Sequence, residues 1–158
     1  FSAAISACEK GERWQQALSL LNEVCEAKLE PDVICYSAAS SACEKCGQWQ
    51  RSVSLLREMR EAKLKPSTIS YDAAISACAR GNEWQQALTV LGELRAAKLE
   101  PNIITCSAAI SACAQGGQWQ QALSLLRDIL AGKLEPNNMS LSSAASACEK
   151  GGQWQHVL

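Results

Sequence analysis

The chain has 158 residues, 20% of them charged, and a formal net charge of −1. That is enough for one domain, and too evenly balanced to hold nucleic acid or an anionic membrane by bulk attraction. Aromatic residues make up only 5%, which excludes a bulky aromatic core, and no apolar run approaches the roughly 20 residues that cross a bilayer. In chain order, Phe1, Ala4, Ile5 and Cys8 keep the i, i+3, i+4, i+7 spacing of one buried helical face. A Gly-Glu turn follows, and Trp14, Ala17, Leu18 and Leu21 repeat the spacing in a second helix. The link "LEPDVIC" ends that helix, because the residue before Pro31 is biased out of the helical region. From Tyr36 the same features begin again.

The recurrence is strict. Trp14, Trp49, Trp84, Trp119 and Trp154 fall 35 residues apart, as do Cys8, Cys43, Cys78, Cys113 and Cys148. Pro31, Pro66, Pro101 and Pro136 keep the step, and so do Lys28, Lys63, Lys98 and Lys133. Units opening at Phe1, Tyr36, Tyr71, Cys106 and Leu141 divide one array into repeat 1 (1–35, lacking its first residues), repeat 2 (36–70), repeat 3 (71–105), repeat 4 (106–140) and a partial repeat 5 (141–158). A lone hairpin cannot bury its apolar face and stacked copies can, so the pattern predicts an all-α fold, an α-solenoid of stacked helix-turn-helix hairpins. Ala3, Ala4 and Ala7 would let first helices approach closely. Leu158 falls inside a second helix with no polar capping repeat, the pattern expected of a fragment of a longer array.

Nine cysteines is an odd number, which argues against a secreted disulfide framework. With no signal peptide in view, the cysteines read as reduced thiols in an intracellular compartment, held mostly as small buried apolar groups. Cys43-Glu44-Lys45-Cys46 has the C-x-x-C spacing of a redox dithiol or half a zinc site. Cys43, however, is the cysteine of every unit, and Cys46 stands where other units have Gly. The motif therefore reads as a coincidence of repeat and drift. Zinc would need four convergent ligands, and His156 is the only histidine.

A 35-residue helix-turn-helix with an aromatic opener, a Gly turn, "ALSLL" and a closing Pro-Asp resembles the pentatricopeptide repeat family over the whole chain. The tetratricopeptide repeat, with a period of about 34 residues, would drift out of register, and its W-x₂-L-G-x₂-Y pattern is absent. Departures are Lys28, Lys63, Lys98 and Lys133 where the family commonly has Gly, Trp where an aliphatic residue is usual, and Cys106 and Leu141 as openers. The resemblance implies a right-handed superhelix that binds single-stranded RNA, about one base per repeat.

By the same resemblance, two residues per unit choose the base: the one after the opener and the one after the link Pro. The pairs are Ser2 with Asp32, Ser37 with Ser67, Asp72 with Asn102, and Ser107 with Asn137, while Ser142 has no partner in this chain. Asp is only an acceptor and suits guanine's donors, whereas Asn offers a donor and an acceptor, which suits adenine. The family's code then assigns G to Ser2/Asp32, A to Ser107/Asn137, a weak purine preference to Ser37/Ser67 and no base to Asp72/Asn102. The family's base-sandwiching position falls on Ile34, Ile69, Ile104 and Met139. Lys10, Lys45, Arg80 and Lys150 recur near the end of the first helix, with Gln115 interrupting. Ser2, Ser6 and Lys10 advance about 40° per step of four, which predicts a phosphate-binding cationic stripe beside the readers.

Each of these features also has a plainer reading. The tryptophans lie on the core side of the second helix and read as packing, as do the repeated cysteines. The serines and the cations could be ordinary surface residues. Lys28 and its equivalents read as partners of helix C-terminal dipoles, and pairs such as Arg57/Glu61 as solvent-facing salt bridges along one helix. The function expected is a sequence-selective RNA-binding module without cofactor, membrane or catalysis of its own, with protein partners or further domains possible in a parent chain. The alternative is a scaffold that binds a peptide on the same face. The family works mostly in mitochondria and chloroplasts, which is the compartment the resemblance implies.

Overall fold

The computed structural model describes residues 2–27, 29, 31–132 and 134–152. Phe1, Lys28, Lys133, Trp154, His156 and the expected second helix of repeat 5 lie outside them. Among the described residues there are helices and no strands: α1 (Ser2–Lys10), α2 (Trp14–Glu26), α3 (Val33–Lys45), α4 (Trp49–Glu61), α5 (Thr68–Arg80), α6 (Trp84–Ala96), α7 (Ile103–Gln115), α8 (Trp119–Ala131) and α9 (Asn138–Lys150). None of these is long and apolar enough to cross a membrane.

The chain is an α-solenoid. Odd-numbered helices stack in one layer, α1 on α3, α3 on α5, α5 on α7 and α7 on α9. Each even-numbered helix packs against its own hairpin partner and against the next odd-numbered helix. Ala and Cys carry the tight odd layer: Ala39, Ala42, Cys43, Ala74, Ala77, Cys78, Ala109, Ala112 and Cys113 are all wholly buried. The expected face of the first helix is buried in full in the interior repeats (Tyr71, Ala74, Ile75 and Cys78, for example). In α1, which has a neighbouring odd helix on one side only, Ala3, Ala4 and Ala7 are exposed.

The first helices begin three residues earlier than the aromatic openers. The residue after each link Pro is the N-cap, and in three of four cases its side chain closes the helix. Asp32 Oδ1 accepts Cys35 N–H at 2.8 Å, Asn102 Oδ1 accepts Thr105 N–H at 2.9 Å, and Asn137 Oδ1 accepts Ser140 N–H at 2.8 Å. Ser67 makes no such bond. Much of the Pro-containing link is thus already helix.

The far helix ends explain the lysines where the family commonly has Gly. Lys63 and Lys98 have φ of 57° and 59°. Each is the left-handed residue of a Schellman turn, with Leu64 N–H on Met59 O at 2.9 Å and Leu99 N–H on Leu94 O at 3.2 Å. Their place is therefore set by backbone closure as well as by any dipole interaction. The two turn positions between hairpin helices have separate causes. The second is left-handed throughout, at Glu12, Gly47, Asn82, Gly117 and Gly152. The first must be small in repeats 3, 4 and 5, because a Cβ on Gly81, Gly116 or Gly151 would fall 2.4, 2.2 or 2.4 Å from Cδ1 of Trp49, Trp84 or Trp119 in the preceding repeat. Trp49, Trp84 and Trp119 are thus packing residues, half-buried against the core and seated on the next turn.

Salt bridges run between repeats, which corrects the expectation for Arg57/Glu61: among the described residues those two side chains form no ion pair. Instead Arg60 meets Glu93 at 2.8 Å and Arg95 meets Asp128 at 2.8 Å, bridging successive second helices. Both pairs are exposed, so each contributes at most about 1 kcal/mol.

Repeat 2 carries a buried polar pair. Ser40 and Ser52, 1% and 0% exposed, share a 2.6 Å hydrogen bond where the neighbouring repeats have Ile75 with Ala87 and Ile110 with Ala122. Ser52→Ala alone is expected to cost about 1–2 kcal/mol in urea unfolding, because it strands the Ser40 hydroxyl. Ser40→Ile with Ser52→Ala should instead stabilise by about 1–2 kcal/mol, the apolar gain of a buried Ile less one hydrogen bond. If the two single changes simply added, the pair would not be coupled in this way.

All nine cysteines are free thiols. Burial pushes Cys43 up to about 11, Cys78 to about 12 and Cys113 to about 11. Iodoacetamide at pH 8 should therefore label exposed Cys25 first and leave these three unmodified in the folded chain. Peptide mass spectrometry reads the order, and labelling of Cys78 as fast as Cys25 would contradict it.

Candidate nucleic-acid interface

A first helix sandwiched between two others buries most of its circumference, and one stripe stays open. On α5 that stripe is Ile69, Asp72, Ser76 and Arg80, at spacings of three and four, so the side chains form a column along the helix. The equivalent stripe on α3 is Ile34, Ser37, Ser41 and Lys45. On these two helices the expected wall, reader and cation therefore share one face.

The walls are well exposed for large apolar residues: Ile34 62%, Ile69 63%, Ile104 61% and Met139 60%. An aliphatic side chain left in water at the same register of four successive repeats forms a row of apolar ledges. Between two of these ledges lies a groove of about 410 Å³, lined by Ile104, Met139, Ser107, Asn137, Ser76, Ser111, Glu44 and Arg80. The expected walls and reading pair of the fourth position thus converge on one slot with Arg80, the cation of the preceding repeat.

The members of a reading pair lie close together although they are 30 residues apart in sequence. Ser107 Oγ donates to Ile103 O at 2.6 Å and lies 3.1 Å from Asn137 Oδ1. Ser107 is only 1% exposed, so it forms the floor of the slot and Asn137 its accessible part. Asp72 Oδ2 accepts Asn102 Nδ2 at 2.9 Å. Ser37 and Ser67 are joined through the hydroxyl of Ser70, at 2.8 and 3.3 Å. Ser2 and Asp32 are not bonded to each other among the described residues; Asp32 is exposed and Ser2 half-buried. Ser142 is exposed and donates to Met139 O at 3.2 Å.

Capping limits what each expected second reader can offer. Oδ1 of Asp32 and of Asn137 is held by the helix N-terminus, which turns the other terminal atom outward. For Asp32 that atom is a carboxylate oxygen. The Cys35 backbone N–H, its main stabilising contact, lowers the carboxyl below its ordinary value, so it is charged at neutral pH. For Asn137 the outward atom is the amide nitrogen, a donor. The two residues present opposite hydrogen-bonding character from the same scaffold.

The cationic stripe is less free than its sequence pattern indicates. Lys10, Lys45, Arg80 and Lys150 are all exposed, but Lys45 Nζ lies 3.6 Å from Glu9 Oε1 and donates to Glu9 O at 3.2 Å. Glu44 in the slot is held above its ordinary value by burial, and the nearby charge of Arg80 opposes the rise. Glu44 and the serines Ser76 and Ser111 also line the slot and are not among the positions that the sequence singled out. The available signal was the Glu immediately before the Lys in Glu9-Lys10, Glu44-Lys45 and Glu149-Lys150.

The fold and face define a class: a helical-repeat solenoid with a row of exposed aliphatic ledges along one face and an apolar-walled, polar-floored slot between two of them. The family model described as Pentatricopeptide repeat domain matches residues 19–82, 54–116 and 89–149, and the PPR repeat model matches 1–29. The chain belongs to the pentatricopeptide repeat family. No curated relative matches it significantly. Among solved structures, it resembles the PPR domain of Arabidopsis thaliana protein-only RNase P 1 in complex with tRNA, at 13% identity and TM-score 0.82, over 98% of this chain and 86% of that one. PPR10 in complex with an 18-nt psaJ RNA element superposes at TM-score 0.79 and 17% identity, over 99% of this chain and 23% of PPR10. Nuclear proteinaceous RNase P 2 from A. thaliana gives TM-score 0.85 at 12% identity, over 99% of this chain and 35% of that protein. At these identities the likeness is one of fold, and the chain spans only a fraction of the last two.

Proposed function

We propose that this chain is a sequence-selective single-stranded RNA-binding module that reads about one base per repeat. The observation that carries the reading is the slot between Ile104 and Met139, with Ser107 and Asn137 at its base and Arg80 at its edge. Its dimensions and lining suit a purine held between aliphatic faces and questioned on one edge. Apolar contact of this kind adds up to about 1 kcal/mol per base, the low end for stacking platforms. Lys10, Lys45, Arg80 and Lys150 follow the backbone, with Lys45 weakened by Glu9. In the family's 5′ to 3′ order the preferred site begins with G at Ser2/Asp32, a purine at Ser37/Ser67, and A at the fourth position.

Such a module acts by occlusion: it covers a segment, blocks nucleases or holds RNA structure open, and so serves processing, stability or translation without catalysis of its own. Mitochondria or chloroplasts are the compartments this reading favours. Selection from a randomised short RNA pool at low and at physiological salt tests it. Enrichment of G and A three nucleotides apart is expected. Arg80→Ala should weaken binding to all sequences alike and lower the salt slope by about 0.7. Absence of enrichment at either salt would sink the proposal and return the face to peptide binding.

A further inference from the structure

Repeat 3 differs from its neighbours in what its reading pair is bonded to. Asp72, half-buried on α5, has both carboxylate oxygens engaged within the protein. Oδ2 accepts Asn102 Nδ2 at 2.9 Å, and Oδ1 accepts the hydroxyl of Thr105. Asn102 Oδ1 takes the Thr105 backbone N–H at 2.9 Å, so both ends of that amide are engaged as well. Thr105, 0% exposed, also accepts Asn102 N–H at 3.3 Å on its Oγ1, which closes the ring.

The equivalent groups in repeat 4 are arranged otherwise. Ser140 turns its hydroxyl to Asn137 O at 2.8 Å, and Asn137 Nδ2 has no protein partner among the described residues. In repeat 2 the hydroxyls of Ser37, Ser67 and Ser70 are neutral rotors that can reorient towards a ligand. Among the described residues, repeat 3 alone sets a carboxylate against an amide and a buried hydroxyl.

We propose that Asp72, Asn102 and Thr105 form a lock that withdraws repeat 3 from base discrimination, an inference that rests on the RNA-binding reading above. To read a base there, the pair would have to break two charge-assisted hydrogen bonds and leave the buried Thr105 hydroxyl without its partner. The lock therefore stays closed whichever base is present, so no preference emerges. The ledges Ile69 and Ile104, 63% and 61% exposed, remain in place. A base can therefore lie at the third position without being read. The chain senses the nucleotides on either side of a position that admits any base.

The test is selection from a randomised RNA pool with the 158-residue chain and with Asp72→Ser, which gives repeat 3 the same side-chain pair as Ser107 and Asn137. In the wild type the fourth position should favour A by about tenfold, and the third should be flat. In Asp72→Ser the third position should gain an A preference comparable to the fourth. A wild-type preference at the third position as strong as at the fourth overturns the lock, and so does a flat third position in a folded Asp72→Ser that still selects A at the fourth. If Asp72→Ser does not fold, as judged by circular dichroism, the wild-type profile alone decides. Loss of preference at every position in both proteins overturns the RNA reading and the lock with it.

Discussion

Asn137→Asp is expected to move the preference at the fourth position from A to G, on the order of tenfold, without lowering the melting temperature. The residue has two tasks on two atoms. Oδ1 caps α9 through Ser140 N–H, which leaves Nδ2 of this slot-lining residue without a protein partner among the described residues. Asp keeps the first and reverses the second: a donor that suits adenine N1 becomes an acceptor that suits guanine N1–H and N2–H. Asp32 shows that Asp caps as well in this setting, at 2.8 Å, and keeps its charge. α9 has no acidic residue in its first turn, so a carboxylate at its N-cap should also gain from the helix dipole. Asn137→Ala separates the tasks from the other side, losing the preference and about 1 kcal/mol of cap. Competition binding with RNAs that differ at one nucleotide, together with thermal melts, reads both. A folded Asn137→Asp that still prefers A would show that the base is read elsewhere.

The repeat, the paired helices and the exposed wall positions were legible because each follows from periodicity, and periodicity survives projection onto one dimension. Ile34, Ile69, Ile104 and Met139 were placed by register, and all four are exposed. What a register cannot carry is the bonding between side chains 30 to 36 residues apart. Nothing in the order of residues tells that Thr105 ties Asp72 to Asn102, or that Lys45 meets Glu9 across a repeat boundary. The same holds for Ser40 and Ser52. Both depart visibly from the repeat, but only packing shows that they satisfy each other. The link was read as longer than it is because Pro marks where a helix cannot continue, whereas the next helix starts at the side chain that caps it.

Gly116→Ala should destabilise the chain by about 1–3 kcal/mol, although the usual expectation at this backbone geometry is the reverse. Gly116 has φ −79°, which any L-residue adopts. Exchanging Gly for Ala at such a site commonly stabilises by about 0.4–1 kcal/mol through the unfolded chain. Here the added Cβ would lie 2.2 Å from Cδ1, 2.7 Å from Cγ and 2.9 Å from Nε1 of Trp84. The indole is a rigid plane seated between repeats 3 and 4, so relief requires the hairpins to shift. Gly117 next to it is the control, since its φ of 68° makes Ala unfavourable by backbone alone and nothing lies within 4 Å of its Cβ. In a Trp84→Ala background Gly116→Ala should turn neutral or stabilising, while Gly117→Ala keeps its cost. Four chemical melts complete the cycle, and equal costs for Gly116→Ala with and without the indole would mean that Trp84 does not set the spacing between these repeats. That spacing also sets the distance between the ledges Ile69 and Ile104 on α5 and α7, so the same substitution should weaken RNA binding in the folded fraction.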